Sequence, residues 1–141
     1  MPYLTRAAII LAALVAANAA NAEDKRQRVE LPPMMQNHML ANMRDHLAAI
    51  DQILKHMADE ELDRAADVAE KRLGMSSLKS HGASHMARFM PEGMRAAGTS
   101  MHKAASRFAL SAQEGDVLTA YKKLREVTAS CVACHAGYRI H

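Results

Sequence analysis

Large side chains between residues 39 and 57 recur every three or four positions, the spacing of one face of an α-helix. They are Met39, Met43, His46, Ile50, Ile53 and Met57. Arg44 and Asp51 fall on the opposite side. Pro33 precedes the run, and proline is tolerated in a first helical turn because its missing N–H has no partner there. The pattern predicts a first helix over about 33–57.

A second helical pattern follows Asp59, which is a candidate N-cap residue. Its apolar stripe consists of Leu62, Ala66, Ala69 and Leu73. These features predict a second helix over about 60–73, and an extension to Lys79 stays open. Residues 80–90 show no period and are expected to form a connection.

Two further helical patterns complete the chain. The third begins at Pro91 and Glu92, and its stripe is Met94, Ala97, Met101, Ala104 and Phe108. Gly115 and Asp116 are typical of a helix stop and a following N-cap. The last stripe is Val117, Tyr121, Leu124, Thr128, Cys131, His135 and Tyr138. We expect this last face to point into the protein interior.

Four helical patterns with short links, and no alternating strand pattern, predict an all-α chain. The expected architecture is an antiparallel up-down-up-down four-helix bundle. The charged residues 23–30 are expected to be a frayed leader before the first helix. Residues 23–141 would then form one domain.

The first 22 residues are typical of an export signal. Arg6 supplies a positive start, residues 7–17 form an apolar run of eleven, and Ala20 and Ala22 offer the small residues that a signal peptidase requires. The apolar run is shorter than the roughly 20 residues that span a bilayer. We therefore expect cleavage after Ala22 and no stable membrane insertion afterwards.

Charge and composition exclude one class of partner. Removing residues 1–22 takes away one of the 18 basic residues and none of the 15 acidic ones, which leaves a net charge of 17 − 15 = +2. Aromatic residues are few and the positive residues are scattered. Nucleic-acid binding needs a basic patch or a stacking platform, so we expect no nucleic-acid partner.

The only two cysteines stand in one short motif, Cys131-Val-Ala-Cys134-His135. A thioredoxin-like dithiol expects strands around it, and a structural zinc site expects four ligands. A disulfide between these positions within a helix is strained because their side chains diverge. Cysteine pairs followed at once by histidine are the attachment motif of c-type haem, so we expect covalent haem at Cys131 and Cys134.

The C-terminal region resembles that of the cytochrome c′ group, the class II cytochromes c. The similarity is strongest over residues 115–139, GDVLTAYKKLREVTASCVACHAGYR. A weaker similarity lies at residues 89–93, where relatives have Phe-Pro-x-Gly and this chain has Met90 inserted after Phe89. The helix layout of residues 31–141 is similar to that of the group as a whole.

The resemblance implies a periplasmic protein with one covalently bound haem c. It implies that Cys131 and Cys134 hold the haem and that His135 is the proximal iron ligand. Arg139, four residues after His135, is placed to meet a haem propionate or to lie in solvent. The implied role is electron transfer between redox partner proteins and not enzymatic catalysis, and a homodimer is compatible with it.

The first helix is expected to cover the other haem face. In an antiparallel arrangement, His135, six residues from the end of the sequence, is level with a position about six residues into the first helix. That position is Met39, with Met43 about 6 Å further along the axis. Met39 is therefore the predicted distal ligand, and His46, two turns deeper, is expected to be a buried, hydrogen-bonded histidine.

Two alternatives stay open at this stage. A five-coordinate iron, with Met39 turned away, would make the protein a gas-binding cytochrome c′ for NO or CO. Adjacent histidine and methionine residues suggest a lower-ranked copper-binding alternative, because thioethers and imidazoles suit copper. These pairs are His38-Met39, His56-Met57, His85-Met86 and Met101-His102.

Overall fold

The computed structural model describes residues 23–141, and the predicted export signal at residues 1–22 lies outside that range. The described chain is all-α apart from one pair of very short strands. Its elements are β1 (Gln27–Arg28), α1 (Pro33–Ala58), α2 (Leu62–Arg72), α3 (Ala83–Met86), α4 (Glu92–Gln113), α5 (Val117–Gly137) and β2 (Tyr138–Arg139). Single 3₁₀ turns at Met75–Leu78 and Ala87–Phe89 flank α3.

The helix ends follow local signals in two cases and depart from them in one. Pro33 occupies the first turn of α1, as predicted. The Asp116 carboxylate accepts a hydrogen bond from the Thr119 N–H at 3.1 Å and caps α5. Asp59 instead ends α1 and pairs with Lys55, so its predicted role as the N-cap of α2 is wrong. Glu60 adopts a positive φ of 60°, which delays the start of α2 to Leu62.

The four long helices pack in a series. α1 lies against α2, α2 against α4, and α4 against α5, whereas α1 and α5 have no comparably close backbone approach. The interior consists of two apolar clusters. The larger one, called here the alanine interior, contains nine alanines among its sixteen buried residues within the described chain.

The smaller cluster lies at one end of the molecule and is called here the methionine cluster. Its buried members are Val29, Met39, Met86 and Met94. Partly buried residues around them are Leu31, Met35, Met43, Met90, Cys134, Tyr138 and Ile140. The cluster joins α1, the connection before α4, the start of α4 and both ends of the described chain.

Three of the four predicted interior faces are close to those observed. The buried residues of α2 and α4 include most of the predicted stripes, and α1 buries Met39, Ile53 and Met57 as expected. For α5 the prediction is right at Leu124, which is buried, and wrong at Val117 and Tyr121, which are exposed. α5 buries Ala120 and Val127 beside Leu124, because its dense packing on α4 selects a face with small and branched side chains.

The predicted frayed leader is also wrong. β1 pairs in parallel with β2, with Gln27 opposite Tyr138 and Arg28 opposite Arg139. The Val29 N–H continues the pairing by donating to the Arg139 carbonyl at 2.8 Å, and the Val29 side chain is buried. Burial of the Val29 side chain and backbone pairing with Tyr138 and Arg139 therefore hold the segment before α1 against the end of the chain.

None of the helices among residues 23–141 is long and apolar enough to cross a membrane.

Candidate functional site

The two cysteines lie on the buried side of α5, at the boundary between the two clusters. Cys131 and Cys134 continue the stripe of Leu124 and Val127 at intervals of four and three residues. Cys131 packs against the alanine interior and Cys134 against the methionine cluster. Both are free thiols and half-buried, and burial raises the pKa of each thiol. The two neutral sulfurs therefore lie next to each other on the buried side of α5, which is called the seam below.

His135 is exposed, so its predicted place on the interior face of α5 is wrong. The buried face is centred on Leu124 and Val127, which leaves the residue after Cys134 at the outer edge of the seam. The backbone carbonyl of His135 accepts a hydrogen bond from Arg26 Nη1 at 3.5 Å. The imidazole makes no hydrogen bond to any described side chain.

Met39 is buried and belongs to the same cluster as Cys134. The start of α1 is tied to the end of the chain nearby, because Gln36 Nε2 donates to the Ile140 carbonyl at 2.9 Å. The role of Met39 as the distal iron ligand stays a prediction. Met35 and Met43, one turn to either side, lie at the margin of the cluster and are less buried.

Sequence reasoning missed a second set of methionines in this cluster. Met86, Met90 and Met94 recur at intervals of four, as Met35, Met39 and Met43 do on α1. All six belong to the methionine cluster or its margin. The matching spacing of the two runs was a readable signal, but each run taken alone resembles ordinary core packing.

The two segments that carry the family resemblance meet at one contact. A side chain at Gly93 would collide with the Tyr138 hydroxyl, so only glycine leaves room for that ring. Gly93 lies in the first turn of α4, and Tyr138 is the first residue after α5. The glycine of the 89–93 segment thus lets the C-terminal tyrosine pack over the start of α4.

Arg139 turns toward the N-terminal segment. Its Nε lies 3.5 Å from Asp24 Oδ2, and its Nη1 donates to the His141 carbonyl at 2.9 Å. Asp24 also pairs with Arg26, whose hydrogen bonds lower the pKa of that carboxyl to about 2. Two arginines and one aspartate therefore form a small polar network beside the end of α5.

His46 differs from its prediction. Its Nε2 is buried and has no hydrogen-bond partner among the described residues, so the expected hydrogen bond is absent. Its ring instead lies near those of His81 and His102, at centroid distances of 4.8 and 6.0 Å. Nothing in the local spacing of these histidines indicates the cluster, because they come from three separate elements.

In three of the four adjacent histidine–methionine pairs the two side chains differ in burial, whereas Met101 and His102 are both buried. Met39, Met57 and Met86 are buried, whereas the histidine before each of them is partly or fully exposed. His38 and His85 line one surface groove with Met34 and Met35, and Lys79 brings a positive charge to the same groove. Across residues 23–141, no three His, Cys, Asp or Glu side chains are arranged to hold a metal ion.

No protein-family model, curated protein or solved structure matches this chain.

Proposed function

We propose that this protein is a monohaem c-type cytochrome of the cytochrome c′ group that carries single electrons in the periplasm. Its four long helices, α1, α2, α4 and α5, would form the antiparallel bundle of that group. The observation that carries the proposal is the Cys131-x-x-Cys134-His135 motif, whose second cysteine packs in the same cluster as Met39. The haem iron would accept and release the single electron.

The cysteines support covalent attachment. Each thiol would add across a vinyl double bond, so that a sulfur–carbon bond forms and the thiol hydrogen moves to the vinyl carbon. Cys131 and Cys134 both lie on the seam of α5 that faces away from solvent, where neutral thiols are favoured by burial. The backbones of α1 and α5 do not approach each other as closely as those of α4 and α5, and the flexible methionine side chains between them could repack around a planar group.

The side chains around the seam support an iron site with restricted access to water. His135 lies at the outer edge of the seam, where its imidazole is free to act as the proximal ligand. Met39 would provide the distal thioether, and the neighbouring Val29, Met86 and Met94 would exclude water. Methionine side chains are flexible, so this cluster can repack around a bulky group.

Arg139 supports the proposal through charge. It lies two residues beyond the end of α5, in a network with Asp24 and Arg26. Guanidinium groups bind carboxylates with paired hydrogen bonds, so a haem propionate would compete with Asp24 for these arginines. We assign Arg139 as the residue that meets a propionate.

Mass measurement of the denatured protein tests the attachment. We expect a mass larger than that of residues 23–141 by one haem, with the haem retained after extraction by acidified acetone. Cys131→Ala combined with Cys134→Ala should remove it, and an exposed substitution on the same helix, Val132→Ala, should not. A wild-type mass equal to that of the bare chain would contradict the proposal.

The absorption spectrum of the ferric protein tests the distal ligand and decides between electron transfer and the gas-binding alternative. With Met39 bound we expect a low-spin spectrum and a weak sulfur-to-iron band in the far red. Met39→Ala should abolish that band, and the matched variant Met43→Ala should keep it. A high-spin wild-type spectrum with ready binding of carbon monoxide to ferrous protein would favour the gas-binding function instead.

The second methionine run requires its own control in that experiment. Met86 and Met94 are buried in the same cluster as Met39 and offer the same thioether. If the band survives Met39→Ala but disappears in Met86→Ala or Met94→Ala, the protein still binds haem as proposed, and the assignment of Met39 is wrong.

A further inference from the structure

Three imidazoles from three separate elements meet where α1 and α4 contact the connection between α2 and α4, residues 74–90. His46 belongs to α1, His81 to the connection and His102 to α4. Their ring centroids lie 4.8, 5.5 and 6.0 Å apart. His81 and His102 are buried, and the Nε2 atom of His46 is buried as well. We call this group the histidine cluster.

The hydrogen bonds of the cluster suit neutral rings. His102 Nδ1 donates to the Leu73 carbonyl at 2.7 Å, which leaves its other ring nitrogen unprotonated in the neutral form. Ser77 Oγ donates to the Gly74 carbonyl, so it accepts from His81 Nδ1 at 3.3 Å. A protonated His46 would bury an N–H that no described residue accepts, and would do so beside two other rings.

The titratable and charged groups that face the cluster compensate a new positive charge only in part. They are His38 and Asp45 from α1 and Arg72 from α2. The Asp45 carboxylate favours a charged His46, but it is already paired with Arg72. The Arg72 guanidinium disfavours a charged His46. Burial is the main cause that lowers the pKa of His46 to about 4, and burial also lowers the pKa values of His81 and His102.

The backbone of His81 also holds the connection onto α1. The His81 carbonyl accepts hydrogen bonds from His38 Nε2 at 2.9 Å and from Asn42 Nδ2 at 3.0 Å. The next residue, Gly82, has a φ of 62°, a conformation that L side chains rarely adopt, and a side chain there would lie 3.0 Å from His38 Nε2. Five residues after His81, Met86 enters the methionine cluster.

We propose that the histidine cluster is an acid-sensitive lock that keeps the connection of residues 74–90 docked on α1. Neutral rings pack together and let His81 present its carbonyl to α1. Protonation places a cation among buried rings, which pushes the connection outward and loosens the side of the methionine cluster that Met86 forms. This inference goes beyond the proposed function and does not depend on haem.

Unfolding in urea at pH 7.5 and pH 4.5 tests the lock. A histidine whose pKa in the folded chain lies below the unfolded value of about 6.5 loses its stabilising effect as the pH falls below 6.5. For His46, with a folded pKa of about 4, the equilibrium constant for unfolding should rise roughly 50- to 100-fold between these pH values. His46→Gln, which cannot be charged, should remove that part of the rise.

The matched control is His85→Gln, because His85 is an exposed histidine on the same connection. His85→Gln should show the same rise in the equilibrium constant for unfolding as the wild type. The other titrating groups contribute equally in all three proteins. Equal rises in wild type and His46→Gln would overturn the proposal.

A second measurement on the unmodified protein covers the case in which His46→Gln does not fold. Ring-proton titration by NMR should show that His46, His81 and His102 take up their protons at a lower pH than a histidine in an unfolded chain. Amide protection factors of residues 81–90 should fall between pH 7 and pH 5 by more than those of α4. Ordinary titration of His46, His81 and His102, or unchanged protection of the connection, would overturn the lock.

Discussion

The alanine interior and the methionine cluster fill the space between the helices in two different ways. Nine of the sixteen buried residues in the first are alanines, and several of them are fully inaccessible to solvent. The methionine cluster contains no alanine and gathers six methionines from two chain segments. Small side chains let helices approach closely, whereas long thioether side chains fill an irregular gap.

The difference separates a rigid part of the molecule from an adaptable one. Close-packed interiors respond to a change of one methylene group, because few voids exist to absorb it. Methionine has three rotatable bonds and tolerates substitution by residues of similar volume. The cysteines stand at the boundary, so a group attached to them would touch both regions and rearrange only the second.

The comparison of the two regions gives a different reason for the small residues on the buried faces of the helices. From the sequence, a haem between the helix ends would be expected to supply much of the missing core, because stripes such as Ala66 and Ala69 bury little area. The structure gives them another reason: α2 and α4 approach closely at these alanines, which are fully buried. We therefore expect the alanine interior to hold together without haem and the methionine cluster to depend on it.

Removing both cysteines gives the largest expected effect and the strongest test of this difference. Cys131→Ala with Cys134→Ala should abolish covalent haem and loosen the methionine cluster while α2 and α4 keep their hydrogen-exchange protection. The loosened end should bind a hydrophobic dye, as partly packed states do. Uniform loss of protection across all helices would contradict a self-sufficient alanine interior, and unchanged protection everywhere would contradict the dependence of the methionine cluster on haem.

Matched volume changes in the two regions give the next largest effect. Ala66→Leu adds three carbons to a fully buried site and should lower the free energy of unfolding by about 1–3 kcal/mol. Met86→Leu keeps the volume and should cost less than about 1.5 kcal/mol. Chemical denaturation of both variants measures the difference. A larger cost for Met86→Leu than for Ala66→Leu would reverse the assignment of the rigid and adaptable regions.

Two glycines of α4 give the smallest effect and test how the methionine cluster is closed. Gly98→Ala enters open space and should stabilise the helix by about 0.5–1 kcal/mol, because alanine loses less backbone entropy. Gly93→Ala meets the Tyr138 hydroxyl and should destabilise by about 1 kcal/mol or more.

Tyr138→Phe removes the hydroxyl, so it should reduce the cost of Gly93→Ala when the two changes are combined. Thermal unfolding of the single and double variants measures this coupling. Additive effects would show that Gly93 and Tyr138 do not constrain each other.

Local patterns were sufficient for much of the fold. Helical periodicity predicted the four long helices, and Pro33 and Asp116 mark helix starts through backbone chemistry that acts within one turn. The stripe of α2 was predicted nearly residue by residue, because a short helix with one apolar side has only one way to bury it. The adjacency of Cys131, Cys134 and His135 is likewise a property of the sequence alone.

Tertiary packing decided the rest, because the remaining features depend on residues far apart in the chain. The face that α5 buries follows from its packing on α4, which exposes His135 and turns both cysteines inward. The pairing of β1 with β2 joins residues more than 100 positions apart, and no local pattern shows it. The histidine cluster draws one ring from each of three elements. Periodicity describes how a helix presents its own side chains, and only the assembled chain determines which neighbours those side chains meet.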